Sequence, residues 1–315
     1  MTPATPSAPE RISSDVNIVH LQLFHYYMSE EGHSSIPLGQ THSKTARNIV
    51  PKYAFAYPFL LHSMLAFSAR CLSDQMDNHE EKASYQLLAS SLQSKALAGF
   101  NEALPHLSGS NCAAYVLFSH TIGIHSFYET FASRQETAGN FLRNLMHTIN
   151  LMRGVRLVVS PFWLDFQNSD LGPIVRAAHA QMVAASSDGP EAEHLTRLLD
   201  GADLSPATRE IYIEAVGRLQ KDINAHPEVD DPQNAMSSVF SWLISTPQEF
   251  STLLEERRPE ALVLLGWFAL VLHRHRTSPM IGDSGSYLFG LVDSHLGPRW
   301  DTWMAWPRNE IMKER

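Results

Sequence analysis

Thr246 to Pro307 reads TPQEFSTLLEERRPEALVLLGWFALVLHRHRTSPMIGDSGSYLFGLVDSHLGPRWDTWMAWP, and its centre decides the fold. Twelve residues, Ala261 to Leu272, carry no charge and no strong polar group; Pro259 opens them and His273, Arg274, His275 and Arg276 close them. Proline suits the first turn of a helix, where its missing N–H has no partner to lose, and cations suit the last turn, where free carbonyls gather negative potential. A membrane span needs about 20 apolar residues. Twelve residues apolar on every side therefore predict a short helix wrapped by other protein.

The remaining sequence supplies the wrapping. Of 315 residues 44% are hydrophobic, enough for a sizeable core. Ile18, Leu21, Phe24, Tyr27 and Met28 recur at helical spacing behind a candidate cap, Asp15, in a helix that ends near Gly32. HSSIPLGQTHSKT reads as a loop leading to Val50-Pro51, and an apolar helix follows Pro58. His79 to Leu104 is amphipathic, with Tyr85, Leu88, Leu92, Ala96, Leu97 and Phe100 on one face. Asn111 or Ser110 can cap CAAYVLFSHTIGIHSFYETF, and a further helix from about Glu136 ends in Gly154. Short helices fill 161–201, Pro206 opens TREIYIEAVGRLQKDIN, EVDDPQ is a turn, and Pro232 opens a helix holding Val239, Phe240, Trp242 and Leu243. No alternating β-branched run exceeds RLVVS (Arg156 to Ser160). The expected fold is all-α: a single domain of about ten to fourteen helices over 15–307, with a disordered tail at 1–14 and a short polar tail at 308–315.

Composition narrows the function. There are 24 Lys+Arg against 33 Asp+Glu, a formal charge of −9, and no basic arm, which argues against direct nucleic-acid binding. Cys71 and Cys112 read as two buried reduced thiols, and MTPATPSAPE has no apolar core for a signal peptide, so an intracellular protein, cytoplasmic or nuclear, is expected. Sixteen histidines form no HExxH pair and none stands beside cysteine at zinc spacing, so no metal site is expected. His20 with His25, and His120 with His125, are five apart, about 140° around a helix. Phosphate loops, dinucleotide fingerprints, GxSxG elbows and aspartate-rich magnesium motifs are missing, and no cofactor is expected. Gly282-Asp283-Ser284-Gly285 spells a serine-protease nucleophile motif, but it leads into SYLFGLVDSHL, where Asp283 or Ser284 reads as a helix cap. Three segments, around 59–69, 112–127 and 261–272, are apolar nearly all round. Two readings stay open: plain core, or a core that opens into an apolar pocket.

Read together, DVNIVHLQLFHYYMS, AYPFLLHSMLAFSARCLS, LRNLMHTINLMRGVRLV and RRPEALVLLGWFALVLHR followed by GDSGSYLFGLVDSHLGPRWDTWMAWP resemble the carboxy-terminal domain of fungal zinc-cluster transcription factors of the sterol uptake control type, from Asp15 to Pro307. The resemblance implies an all-helical body that binds a sterol-like molecule in an apolar pocket and tends to form a homodimer; the ligand expected here is terpenoid-, sterol- or polyketide-like. Fourteen residues precede Asp15, none of them cysteine, so the DNA-reading zinc cluster is expected to be missing. Family members often carry tryptophans before the glycine-rich turn that here reads SPMIGDSG, which implies a different ligand. The expected function is capture of a lipophilic molecule without DNA binding, favoured as a cofactor-independent cyclase or pericyclase of secondary metabolism; the alternative is a ligand-responsive regulator acting through a DNA-binding partner. Candidate ligand-binding residues are Tyr115, Phe118, His120, His125, Trp242, Trp267 and Tyr287, polar-tipped or aromatic side chains on apolar helices, with His120 and His125 the candidate catalytic pair.

Overall fold

Pro259 and the basic run do bound one helix, Pro259–Arg274, and every residue from Ala261 to His273 in it is buried. In the computed structural model, residues 17–29, 39–134, 137–224, 235–278 and 280–313 are described. Among them the chain forms 15 α-helices and no strand, one helix beyond the range expected from sequence.

The first half is built from α1 (Ile18–Met28), α2 (Gly39–Ala56), α3 (Pro58–Asp74), α4 (His79–Ala103), α5 (Cys112–Ala132) and α6 (Ala138–Val159). Here α3 pairs with α4, α5 with α6, and α1 lies on α3. Short helices α7 (Trp163–Gln167), α8 (Gly172–Ala184) and α9 (Pro190–Asp200) lead to α10 (Pro206–Asn224), α11 (Ala235–Ser245) and α12 (Gln248–Glu255). Then come the central helix α13 (Pro259–Arg274), α14 (Ser284–Leu296) and α15 (Asp301–Lys313). Helices α9, α10, α11, α12, α14 and α15 pack around α13, while α6 touches α11, α12 and α14 and ties the halves together. Among the described residues no helix is long and apolar enough to cross a membrane.

Several local expectations shift, each for a physical reason. Asn17 caps α1 by accepting from the His20 N–H; Asp15 lies outside the described residues. Leu23 and Tyr27 are the buried residues of α1, while Ile18 and Leu21 face outward. Gly39 to Thr45, expected as loop, begins α2, which continues through Pro51 at the loss of one backbone donor. The break falls instead at Tyr57, held extended (φ −127°, ψ 94°) by the proline that follows it. Gly154 does not end α6, which runs on through RLVV to Val159. A mid-helix glycine costs only about 1 kcal/mol, which tertiary packing overrides. Leu97 is 41% exposed on α4, off the buried face of Leu92 and Ala96. α15 continues past Pro307 to Lys313 and buries Ile311. Cys71 and Cys112 are buried and free. EVDDPQ and Pro232 lie outside the described residues.

One buried group makes stability depend on pH. Asp222, near the end of α10, is 7% exposed, and burial pushes its carboxyl up to about 7 against the opposing pull of Ser241, the Trp242 N–H and Arg218. Between about pH 4 and 7 the folded chain keeps a proton that the unfolded chain has released, so stability falls as pH rises through that window. The expected slope from this group is about 1 kcal/mol per pH unit, flattening above pH 7. Urea denaturation from pH 4.5 to 7.5 should find that slope in the native chain and its loss in Asp222→Asn.

Candidate functional site

At the carboxy-terminal end of α13 the helix reaches the surface and the chain turns back into α14. Gly285 makes the close approach possible: a Cβ there would lie 2.4 Å from the His273 nitrogen and 2.6 Å from the Ala269 carbonyl oxygen. The turn opens at Gly282, whose φ of 48° suits glycine. From the first half of the molecule, Arg134, at the end of α5, reaches across to the same place; it too has a left-handed backbone (φ 42°), uncommon for a residue with a side chain.

These elements enclose an open cleft of about 630 Å³. That volume falls within the few hundred to a thousand Å³ of small-molecule sites. It is lined by Arg134, His273, Arg276, Gly282, Asp283, Ser286 and Tyr287. The Arg134 guanidinium lies over the Tyr287 ring, 4.6 Å from its centroid, and pairs with the Asp283 carboxylate. Ser286 Oγ and His273 Nδ1 are 3.1 Å apart. Asp283 occupies the N-cap position of α14 but makes no capping bond, because its carboxylate is turned to Arg134. Ser284, the serine of GDSG, is 3% exposed and so has no access to substrate as a protease nucleophile.

Of the candidates named from sequence, Tyr287 lines this cleft. Of the others, Tyr115, Phe118, His125, Trp242 and Trp267 are buried in the packed interior and His120 is half-buried. Tyr115 donates its hydroxyl to the Ala103 carbonyl at 2.5 Å, and Phe118 stacks on Phe100 at 4.5 Å. Trp242 donates to the Ala215 carbonyl (3.0 Å), and Trp267 to the Trp303 carbonyl (2.9 Å) while stacking on Trp306. His125 sits 3.1 Å from Gln93 Oε1 and 3.7 Å from Glu129, which pairs with Arg70. His120 meets the Phe240 ring edge-on. His120 and His125 therefore belong to different surroundings on α5. Among the described residues no group of three or more His, Cys, Asp or Glu is placed to hold a metal.

The site residues that sequence reading passed over are Arg134, His273, Ser286 and Arg276. A signal for three of them was present: the basic run ending the apolar helix is separated from the next helix by only a short glycine-containing turn, so both helix ends must share one corner. Nothing local announces Arg134, which arrives from 149 residues away in sequence.

Residues 22–171, which are 150 of the 315, match the model of the fungal specific transcription factor domain, so this all-helical stretch is similar to that domain. Among curated proteins it is similar to Sterol uptake control protein 2 of Saccharomyces cerevisiae, 28% identical over 175 residues. That alignment covers 51% of this chain and 18% of the relative, so the chain corresponds to a minor part of that protein. The matched domain stretch includes Arg134 and stops well before α13 and α14.

Proposed function

We propose that this chain is a regulatory body that responds to a small amphipathic molecule held in the cleft between the end of α13, the start of α14 and Arg134. The observation that carries the reading is a contrast in how polar groups are used. In the interior, the tips of Tyr115, Trp242 and Trp267 end on backbone carbonyls of their own core. Such groups stabilise the packing and have no donor left to offer a ligand. At the cleft, charged and hydroxyl groups instead surround about 630 Å³ of open space. The similarity to a protein named for control of sterol uptake supports a lipophilic body on the ligand and a nuclear role in transcription. With its formal charge of −9, the chain would act through a DNA-binding partner rather than by an electrostatic grip of its own.

The test is a reporter assay in yeast with the chain fused to a heterologous DNA-binding domain, scored while sterols, terpenoid acids and fatty acids are supplied. The reading expects output to change with at least one compound and the change to vanish in Arg276→Gln. Constant output, together with recovery of a cyclised or isomerised product from purified protein, would replace it with the cyclase reading.

A further inference from the structure

We infer that the outer face of α1, continued by Phe55 of α2 and accompanied by Lys52 and Lys95 on the neighbouring helices, is a docking surface for an amphipathic helix with acidic flanks from another protein. The surface lies on elements other than those that form the cleft, and the inference does not depend on what the cleft holds.

Apolar exposure is the first argument. α1 is mostly apolar, yet of its 11 residues only Leu23 and Tyr27 are buried. Leu23 packs with Leu65, Ala66 and Ala69 of α3 and with Ala89 and Leu92 of α4, which fixes the side of α1 that faces in. Ile18 and Leu21, one turn apart, are left 48% and 55% exposed. Phe24 carries the face on to α2, its ring 5.1 Å from that of Phe55, which is 65% exposed. Large apolar residues exposed singly need no explanation, whereas a contiguous set marks a binding surface.

Charge is the second. The described residues of α1, α2 and α3 hold no Asp or Glu before Asp74, and α4 holds none between Glu81 and Glu102, in a chain whose formal charge is −9. Lys52 is exposed one turn before Phe55. α3 and α4 run antiparallel, with Gly99 against Phe59 at one end and Lys82 paired to Asp74 at the other, so exposed Lys95 comes opposite His62. Burial and then the charges of Lys95 and His20 push the His62 imidazole below its ordinary value, as expected where basic groups gather without a carboxylate. Among the described residues no ion pair engages Lys52 or Lys95. A partner complementary to this face therefore brings apolar residues flanked by carboxylates. Ile18, Leu21 and His25 recur at i, i+3 and i+7, a ridge that a second helix can pack against. A membrane fits less well, since α1 carries no Lys or Arg, in contrast to helices that lie on anionic lipid. So does a second copy, whose acidic amphipathic helices α9 and α12 already bury Leu195, Leu198, Leu199, Phe250 and Leu254.

Fluorescence anisotropy on the whole chain separates the alternatives, using a labelled helical peptide with Leu at i, i+3, i+4 and i+7 and Glu on both flanks, and the same peptide with Lys in place of Glu. The Glu peptide should bind about tenfold or more tightly than the Lys peptide. Leu21→Asp should weaken it about tenfold, and Lys52→Glu combined with Lys95→Glu should bring the two peptides level or reverse their order. Each substituted side chain is exposed, so urea midpoints should stay near the native one, and a variant that keeps its midpoint reports on binding alone. Equal affinity for both peptides in the native chain, no binding by either, or a Leu21→Asp chain that holds the Glu peptide as the native one does would overturn the inference. Capture of phosphatidylserine vesicles instead of the peptide would overturn it in favour of a membrane. Concentration-dependent sedimentation lost in Leu21→Asp, without peptide binding, would overturn it in favour of a second copy. Ligand capture in the cleft is judged separately by the reporter assay.

Discussion

Gly285→Ala should destabilise the chain by about 3 kcal/mol, among the largest effects of any single added methyl group. The new Cβ would stand 2.4 Å from the His273 nitrogen and 2.6 Å from the Ala269 oxygen, and both atoms are backbone of α13. A flexible side chain could swing aside, but backbone in the centre of the core cannot yield unless the whole helix shifts against the six that surround it. Since α14 must then lift from α13, the cleft at their junction should open as well. Gly290→Ala in the same helix provides the contrast. It is exposed, a Cβ there meets nothing within 4 Å, and alanine should gain about 0.5–1 kcal/mol through helix propensity. Urea midpoints of the two variants should move in opposite directions; a Gly285→Ala midpoint at or above the native one would mean that α13 and α14 do not approach as described.

Arg153→Ala should cost about 3 kcal/mol for a different reason, the loss of one cation that closes several backbone ends. Its Nη1 donates to Gln248 Oε1 (3.0 Å) and Ser251 Oγ (2.7 Å). Its Nη2 donates to the carbonyls of Leu243 (3.1 Å) and Thr246 (2.8 Å) and to Thr246 Oγ1 (2.9 Å). The Leu243 carbonyl belongs to the last turn of α11, where carbonyls lack helical partners and the helix dipole favours a cation. Arg153 thus fixes α6 to the α11–α12 corner. Lysine keeps the charge but not the planar fork, so Arg153→Lys should recover less than half of the loss. Equal stability of native and Arg153→Ala chains by urea denaturation would show that the corner is held by apolar packing alone.

The two predictions mark how far sequence reading reaches. α13 was legible because its signals agree: proline at the start, cations at the end, and no polar residue between. The helix α10 was legible from its proline start and from apolar residues recurring at helical spacing between charged ones. Boundaries failed where a single residue was asked to decide: Gly154 lies inside α6 and Pro51 inside α2, since a local penalty of one to a few kcal/mol does not by itself end a helix. The candidate site was less legible. Polar-tipped aromatics on apolar helices, such as Trp242 and Trp267, look alike whether their donors meet a ligand or a carbonyl, and only three-dimensional placement identifies Ala215 and Trp303 as the acceptors. Tyr287 was reachable as a polar-tipped aromatic on an apolar helix; Arg134, from the other half of the chain, was not.

Where a ligand sits is the most direct test of this account. Hydrogen–deuterium exchange of the whole chain, with and without dodecanoate, should show new protection in peptides covering Ser133–Arg134 and His273–Tyr287, with α5 around Tyr115–His125 and α11 around Trp242 unchanged. Protection confined to those interior stretches of α5 and α11 would place the ligand inside the core and contradict the cleft.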